Sequence, residues 1–135
     1  MLAGLGHTAR YLDHEKVIKY IALEPNALMH PGLREEAKAS GFTEEAGTLQ
    51  ILSCGAEDYE KIIGQIGGQA DTLISILTLC SVPRPQDTIR FLAEKVLKPG
   101  GQFLFYEHVA NKSWDVYVWQ LFWSPIWMVR CFDNR

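Results

Sequence analysis

Tyr20-Ile21-Ala22-Leu23-Glu24-Pro25-Asn26 is a short apolar run that ends in a carboxylate, and its reading decides the fold. It follows Gly4 and Gly6 at the distance that joins a glycine-rich turn to the end of the next strand in a nucleotide-binding α/β unit. A strand buried on its sides must stop where its tip meets solvent. A carboxylate at that tip can accept two hydrogen bonds from a ribose diol, which makes Glu24 a candidate ribose clamp. Pro25 ends the strand.

Upstream, the glycine turn runs through His7 and Thr8 into residues 9–14, which read as a first short helix with Tyr11 and Leu12 available to a core. Backbone N–H groups at such a helix start point toward an anionic or carboxylate-bearing ligand, and glycine lets the ligand approach without a Cβ in the way. Most two-glycine pairs are plain turns, so the signal draws its weight from its neighbours. Downstream, residues 27–40 look helical with an interruption near Pro31 and Gly32, and Gly41 caps them. Residues 48–53 alternate as a half-buried strand does and lead into Cys54-Gly55-Ala56-Glu57-Asp58. A small residue flanked by carboxylates, between a strand tip and a helix start, can offer a backbone N–H to adenine N1 and a carboxylate to its exocyclic amine. Glu57 or Asp58 suits that role, and an acidic first turn that complements the helix dipole explains the same residues. Ile62, Ile63 and Ile66 give the following helix an apolar stripe before Gly67 and Gly68 end it.

Residues 70–82 are strongly apolar. Residues 71–77 have the near-continuous hydrophobicity of a strand covered on both faces, as a parallel sheet requires, until Pro83 and Pro85 break the run. Residues 86–97 form the clearest helix, with Ile89, Leu92, Ala93, Val96 and Leu97 on one face and Glu94 to Lys98 as an i,i+4 pair outside it. Pro99-Gly100-Gly101 then turns the chain into a further apolar strand over residues 102–109. Strands and helices that alternate at these lengths predict a right-handed α/β fold with parallel strands.

A chain of 135 residues is the size of one domain, and a net charge of -3 leaves no basic stripe for a nucleic-acid backbone. Cys54, Cys80 and Cys131 are odd in number and widely spaced, which supports neither a disulfide framework nor a zinc site. A reducing, cytoplasmic setting follows. His7, His14, His30 and His108 are equally scattered and suggest no metal site.

Four segments together carry a resemblance: Ala3 to Thr8, Leu23-Glu24-Pro25-Asn26, Gly55-Ala56-Glu57-Asp58, and above all Val96-Leu97-Lys98-Pro99-Gly100-Gly101 followed by Phe103-Leu104-Phe105-Tyr106-Glu107-His108-Val109. In order and spacing they resemble class I S-adenosylmethionine-dependent methyltransferases, and the join to a Trp-rich tail is similar to the alkyl-thiol methyltransferase subgroup. The resemblance implies a Rossmann-like three-layer sandwich with a mainly parallel sheet. It implies that Gly4 and Gly6 border the methionine part of S-adenosylmethionine, that Glu24 holds the ribose hydroxyls, and that Ala56 with Glu57 or Asp58 holds the adenine. Thr78, Leu79 and Cys80 would lie under the methyl group. The acceptor would be a small molecule, a thiol among the candidates.

Two departures stand beside it. The family places an apolar strand before the glycine turn and two more after the last helix, and this sequence shows neither. A cofactor-binding core over residues 1–110 would then lack its usual first strand and last two strands, with a slot between the strands of residues 20–24 and 73–77. Filling by a partner and closure of the two strands are the alternatives, and a sharp thermal transition of the monomer counts against an open slot. The tail, residues 111–135, holds no charge between Val116 and Val129 and carries Trp114, Trp119, Trp123 and Trp127. It is too short and interrupted to span a membrane, which takes about 20 apolar residues. A core helix, a lid over an apolar substrate and a peripheral membrane anchor all remain open for it. An inactive methyltransferase-like remnant or interaction module is the alternative function. A nicotinamide oxidoreductase shares the glycine turn and acidic strand end but not the Val96 to Gly101 segment.

Overall fold

The computed structural model describes residues 6–107 and 113–132, with side chains described as far as residue 125 in the last helix. Two parallel strand pairs form its centre. Strand β1, Tyr20–Leu23, pairs with β2, Leu49–Leu52, in a register that runs from Tyr20 opposite Leu49 to Leu23 opposite Leu52. Strand β3, Ala70–Ile76, pairs with β4, Leu97–Tyr106. Among the described residues the two pairs are separate sheets, in agreement with an α/β fold of the Rossmann-like kind.

Alternation along β1 explains why neighbouring residues are both buried. Tyr20 and Ala22 point to one face, where they pack with Leu49, Phe42 and, from the helix between the two strands, Leu33 and Ala37. Leu23 points to the other, where it meets Leu52, Ile62, Leu92 and Val96. A parallel pair covered on both faces has no room for a solvent-facing row of polar residues. Leu73 of β3 joins this second cluster, so the two sheets share one core without sharing hydrogen bonds.

Helix α1, His30–Ala39, follows a single 3₁₀ turn at Ala27–Met29, and Asn26 Oδ1 accepts the Leu28 N–H to start it. Pro31 sits in the first turn of α1 instead of interrupting the helix, because the N–H it lacks would have no intrahelical partner there. Two bonds close the other end: Gly41 N–H to Lys38 C=O at 3.1 Å and Phe42 N–H to Ala37 C=O at 2.9 Å, with Gly41 at φ +86°. This double closure drops Phe42 into the core beneath its own helix, edge-on to Tyr20.

Helix α2, Tyr59–Ile66, ends on Gly67 in the left-handed region. It buries Ile62 and half-buries Ile66, while Ile63 turns outward, so the expected stripe is narrower by one residue. Helix α3, Pro85–Phe91, runs into a π turn at Leu92–Val96. The wider turn brings Leu92 and Val96 inward and leaves Ala93 exposed, contrary to the regular helical reading. Thr88, on the same helix, is fully buried and lies 3.4 Å from the Tyr59 hydroxyl beside the stacked Tyr59–Phe91 rings.

The turn at Pro99 to Gly101 lies inside β4. Pairing jumps from Ala70 opposite Leu97 to Thr72 opposite Gln102, and a Cβ on Gly101 would come within 2.8 Å of the Asp71 carbonyl oxygen. The helix has already ended at Lys98, so its ammonium pairs with Asp71 and not with Glu94. Two other expectations are corrected. The first helix is only a 3₁₀ turn, Ala9–Tyr11, from which Leu12 reaches the core and Tyr11 does not. Strand β3 is covered mainly on one face: Leu73 and Ser75 are buried, whereas Thr72 and Ile76 on the other side are exposed.

Helix α4, Trp114–Phe132, contains Pro125 and keeps Trp114, Trp119, Phe122 and Trp123 exposed. Among the described residues it is not a packed core helix, and no helix is long and apolar enough to cross a membrane. The expected boundary at residues 110 and 111 lies outside the described residues.

Gly41→Ala forces an L side chain into the left-handed region and is expected to destabilise the chain by about 1–2 kcal/mol, read as a lower midpoint with unchanged slope in urea unfolding.

Candidate functional site

Glu24 sits at the carboxyl end of β1. Its N–H donates to Leu52 C=O at 3.0 Å, which carries the β1–β2 pairing one residue past the strand. Its side chain is turned back and buried, so that Oε1 accepts the Asn26 N–H at 2.9 Å. The Glu24 carbonyl accepts from His30 Nε2 at 2.9 Å, which requires that ring nitrogen to carry its proton. These bonds hold the carboxylate in one place. Oε2 has no partner among the described residues.

Gly6 closes on the same helix. Its C=O accepts the Ala9 N–H at 2.8 Å, its φ is +78°, and a Cβ there would stand 3.2 Å from Leu33 Cγ. Helix α1 thus receives Gly6 against Leu33 and Glu24 through His30, three residues apart on one helix face. Arg10 of the intervening 3₁₀ turn adds an exposed pair with Glu36 at 2.8 Å, and holds that carboxyl below its usual range. Gly4 lies outside the described residues.

The carboxyl end of β2 carries the second group. Because Leu23 lies opposite Leu52, the loop from Ser53 to Asp58 emerges beside Glu24. Ala56 is fully buried in the shared core, which fixes the middle of the loop. The Glu57 carboxylate folds over Gly55, in the space a Cβ would fill there. Asp58 pairs with Lys61 at 3.2 Å on the first turn of α2, so its carboxylate serves the helix. Of the two acidic candidates, Glu57 is the one folded back over the loop, at Gly55. Cys54, within this loop, is buried, and burial pushes its thiol up, with Asp58 adding to the effect.

At the ends of β3 and β4 the structure shows what the sequence hid. Leu77 N–H donates to Tyr106 C=O at 2.8 Å, and Leu77 itself takes φ +51°. Thr78 and Leu79 follow in a short 3₁₀ turn and give their N–H groups to the two carboxylate oxygens of Glu107, each at 3.1 Å. The buried Ser75 hydroxyl donates to the same carboxylate at 2.6 Å. The sequence placed Glu107 inside the apolar strand read over residues 102–109, and Ser75 passed unnoticed. Its signal was the lone hydroxyl in an otherwise apolar run from Leu73 to Leu77. Cys80 is exposed within the same 3₁₀ turn, Leu79–Ser81.

A small apolar cavity links the parts, lined by Leu23, Ala56, Leu73, Ser75, Leu92 and Phe103 among others. Leu23 precedes Glu24, Ala56 precedes Glu57, and Ser75 binds Glu107, so one cavity touches the roots of all three groups. No cluster of metal-ligating side chains exists among the described residues.

Over residues 2–105 the chain matches the family described as a methyltransferase domain. It belongs to the class I S-adenosylmethionine-dependent methyltransferases. It is 39% identical over 126 residues to the human thiol S-methyltransferase TMT1B, covering 92% of this chain and 48% of that protein. It is 40% identical over 62 residues to human thiol S-methyltransferase TMT1A, covering 44% of this chain and 25% of that protein, and 36% identical over 78 residues to rat TMT1B, covering 51% and 32%. The chain spans about half the length of the longest-matching of these relatives. No solved structure matches it.

Among the described residues, Cys54 is buried and Cys80 is exposed. At neutral pH, alkylation by iodoacetamide, followed by peptide mass spectrometry, is expected at Cys80 before Cys54, with Cys54 reacting only as denaturant unfolds the chain.

Proposed function

We propose that this chain binds S-adenosylmethionine across the carboxyl ends of β1, β2 and β3 and transfers its methyl group to a small thiol. One observation carries the reading: a buried carboxylate, Glu24, held at the tip of β1 with one oxygen unpaired among the described residues, and tied through His30 to the helix that also receives the glycine turn. The donor set suits a nucleoside. Glu24 Oε2 would accept from the ribose hydroxyls, the Gly6 turn would admit the methionine end with Gly4, and the Ala56 backbone with Glu57 would meet the adenine. Asp58 is left to Lys61. Thr78 and Leu79 would lie nearest the reacting methyl.

When bound, the cofactor supplies a methyl group already activated by its sulfonium. The protein has little acid or base chemistry to perform. Its work is alignment, and holding two reactants in line can supply a large share of the acceleration. Leu77, exposed beside Thr78, offers an apolar surface that excludes water from an attacking sulfur. A thiol ionises near a pKa of about 8.5, so transfer to one rises with pH through that region unless the site lowers it.

The same reading makes the two strand pairs parts of one sheet. Their shared core and the cavity between Leu23 and Leu73 support a further apolar strand between β1 and β3 that is not among the described residues, and the family's last two strands would likewise lie outside them. Residues 1–110 would then form the cofactor-binding unit. Residues 111–135 would form an appended apolar helix, and contact between this tail and a membrane surface belongs to the proposal.

Calorimetric titration with S-adenosylmethionine and S-adenosylhomocysteine tests the reading. Binding is expected, weakened about tenfold or more by Glu24→Ala, the loss of hydrogen bonds to a charged group. Mass spectrometry should find S-methylated 2-mercaptoethanol after incubation with the cofactor. No heat from a folded sample overturns the proposal.

A further inference from the structure

The turn after β3 is built in a way that a simple chain reversal does not require. Leu77 holds a left-handed conformation that favours glycine, yet the residue is leucine. Such a backbone persists only where its surroundings over-determine it. Here the surroundings are one carboxylate, on the residue that follows β4. Glu107 Oε1 accepts from Ser75 Oγ at 2.6 Å and from Thr78 N–H at 3.1 Å. Oε2 accepts from Leu79 N–H at 3.1 Å. With its proton given to Glu107, the Ser75 hydroxyl is left to accept from Thr78 Oγ1 at 3.0 Å. Donors from the end of β3 and from both sides of the strained turn converge on one acceptor.

Position gives this clamp its meaning. Glu24 and Glu57 occupy the ends of β1 and β2, where the nucleoside is assigned, and ligands of parallel α/β sheets lie outside the carboxyl ends of their strands. The ends of β3 and β4 are left for the reacting end. Ser75 also lines the cavity that reaches Leu23 and Ala56, so the clamp is joined by packing to the nucleoside side.

We propose that Glu107 is the positioning residue for the methyl acceptor: its carboxylate holds the Leu77 to Leu79 turn in the one orientation that aligns an acceptor thiol with the methyl group. The inference rests on the cofactor reading above. Glu107 does not touch the reacting atoms and takes no proton. It acts through the backbone of Thr78 and Leu79.

Glu107→Gln separates this role from general support of the fold, because the glutamine keeps the size but can accept through only one oxygen and turns an NH₂ toward an N–H. In the full chain, S-adenosylhomocysteine affinity is expected to stay within about twofold, while kcat for 2-mercaptoethanol falls on the order of 10–100-fold, the scale of a small misplacement of reactants. Amide hydrogen exchange at Thr78 and Leu79 should quicken. Ser75→Ala, which removes one donor and keeps the carboxylate, should show a smaller fall in kcat and serves as the reading if the Gln variant does not fold. Unchanged acceptor kinetics in both variants overturn the role of Glu107 alone. So does a loss of cofactor affinity in step with kcat, which would mark general collapse. Failure of the unmodified chain to bind S-adenosylhomocysteine overturns the cofactor reading and this role with it.

Discussion

The structure depends on one apolar seam. Leu23 and Leu52 from the first strand pair meet Leu73 from the second, with Ile62, Leu92 and Val96 of the helices closing over them. No backbone hydrogen bond joins β1 to β3 among the described residues, so packing alone sets the two sheets against each other. Full burial of a leucine or isoleucine stabilises by about 1.5–3 kcal/mol, and a seam of such residues is of the same order as the whole stability of a small domain. Ala56 belongs to the seam as well. The loop that carries Glu57 is therefore positioned by the core and not by its own surface bonds.

Polar groups are buried sparingly, and those that are sit where the chain must be held still. Glu24 and His30 lock the end of β1 to the start of α1, and Ser75 ties the end of β3 to Glu107. Each bond is modest in net terms, but an unpaired buried partner would cost about 1–3 kcal/mol, so removal is felt more than presence. Tyr20 is one exception, and Gln50, whose buried Oε1 is equally without a partner among the described residues, is another. The Tyr20 hydroxyl is buried with no partner among the described residues, and burial raises the phenol far above its ordinary range, so it stays neutral. The edge contact with Phe42 and the apolar packing of its ring hold it there.

Much of this was legible in residue order. The short apolar run ending at Glu24 located β1, period-two alternation located β2, the unbroken apolar run located β3, and Gly41 and Gly67 marked helix ends, because these signals are local. The carboxylate at Glu24 was readable for the same reason: a strand tip is a local feature. What failed to show was the consequence of tertiary geometry. The π turn at Leu92–Val96 rotates Ala93 outward, and Lys98 leaves the helix to meet Asp71, neither of which a regular helical wheel contains. The meeting of Ser75, Thr78 and Glu107 joins residues about thirty apart, and a single sequence carries no sign of such pairing beyond the oddity of a hydroxyl in an apolar strand.

The parallel register of both pairs also governs how the chain comes to its shape. A parallel partner is never reached by a tight hairpin, so β1 must wait for β2, and β3 for β4, until a loop and a helix have been laid down between them. Closing such loops costs entropy before any contact returns it, which makes this a slow-folding topology for its size. During that interval Leu104, Phe105 and Tyr106 of the last strand emerge after their partner and remain exposed even when paired. Among the described strands β4 is thus the one whose apolar surface waits longest uncovered, and yield on refolding will depend on how dilute the chain is while β4 finds its place.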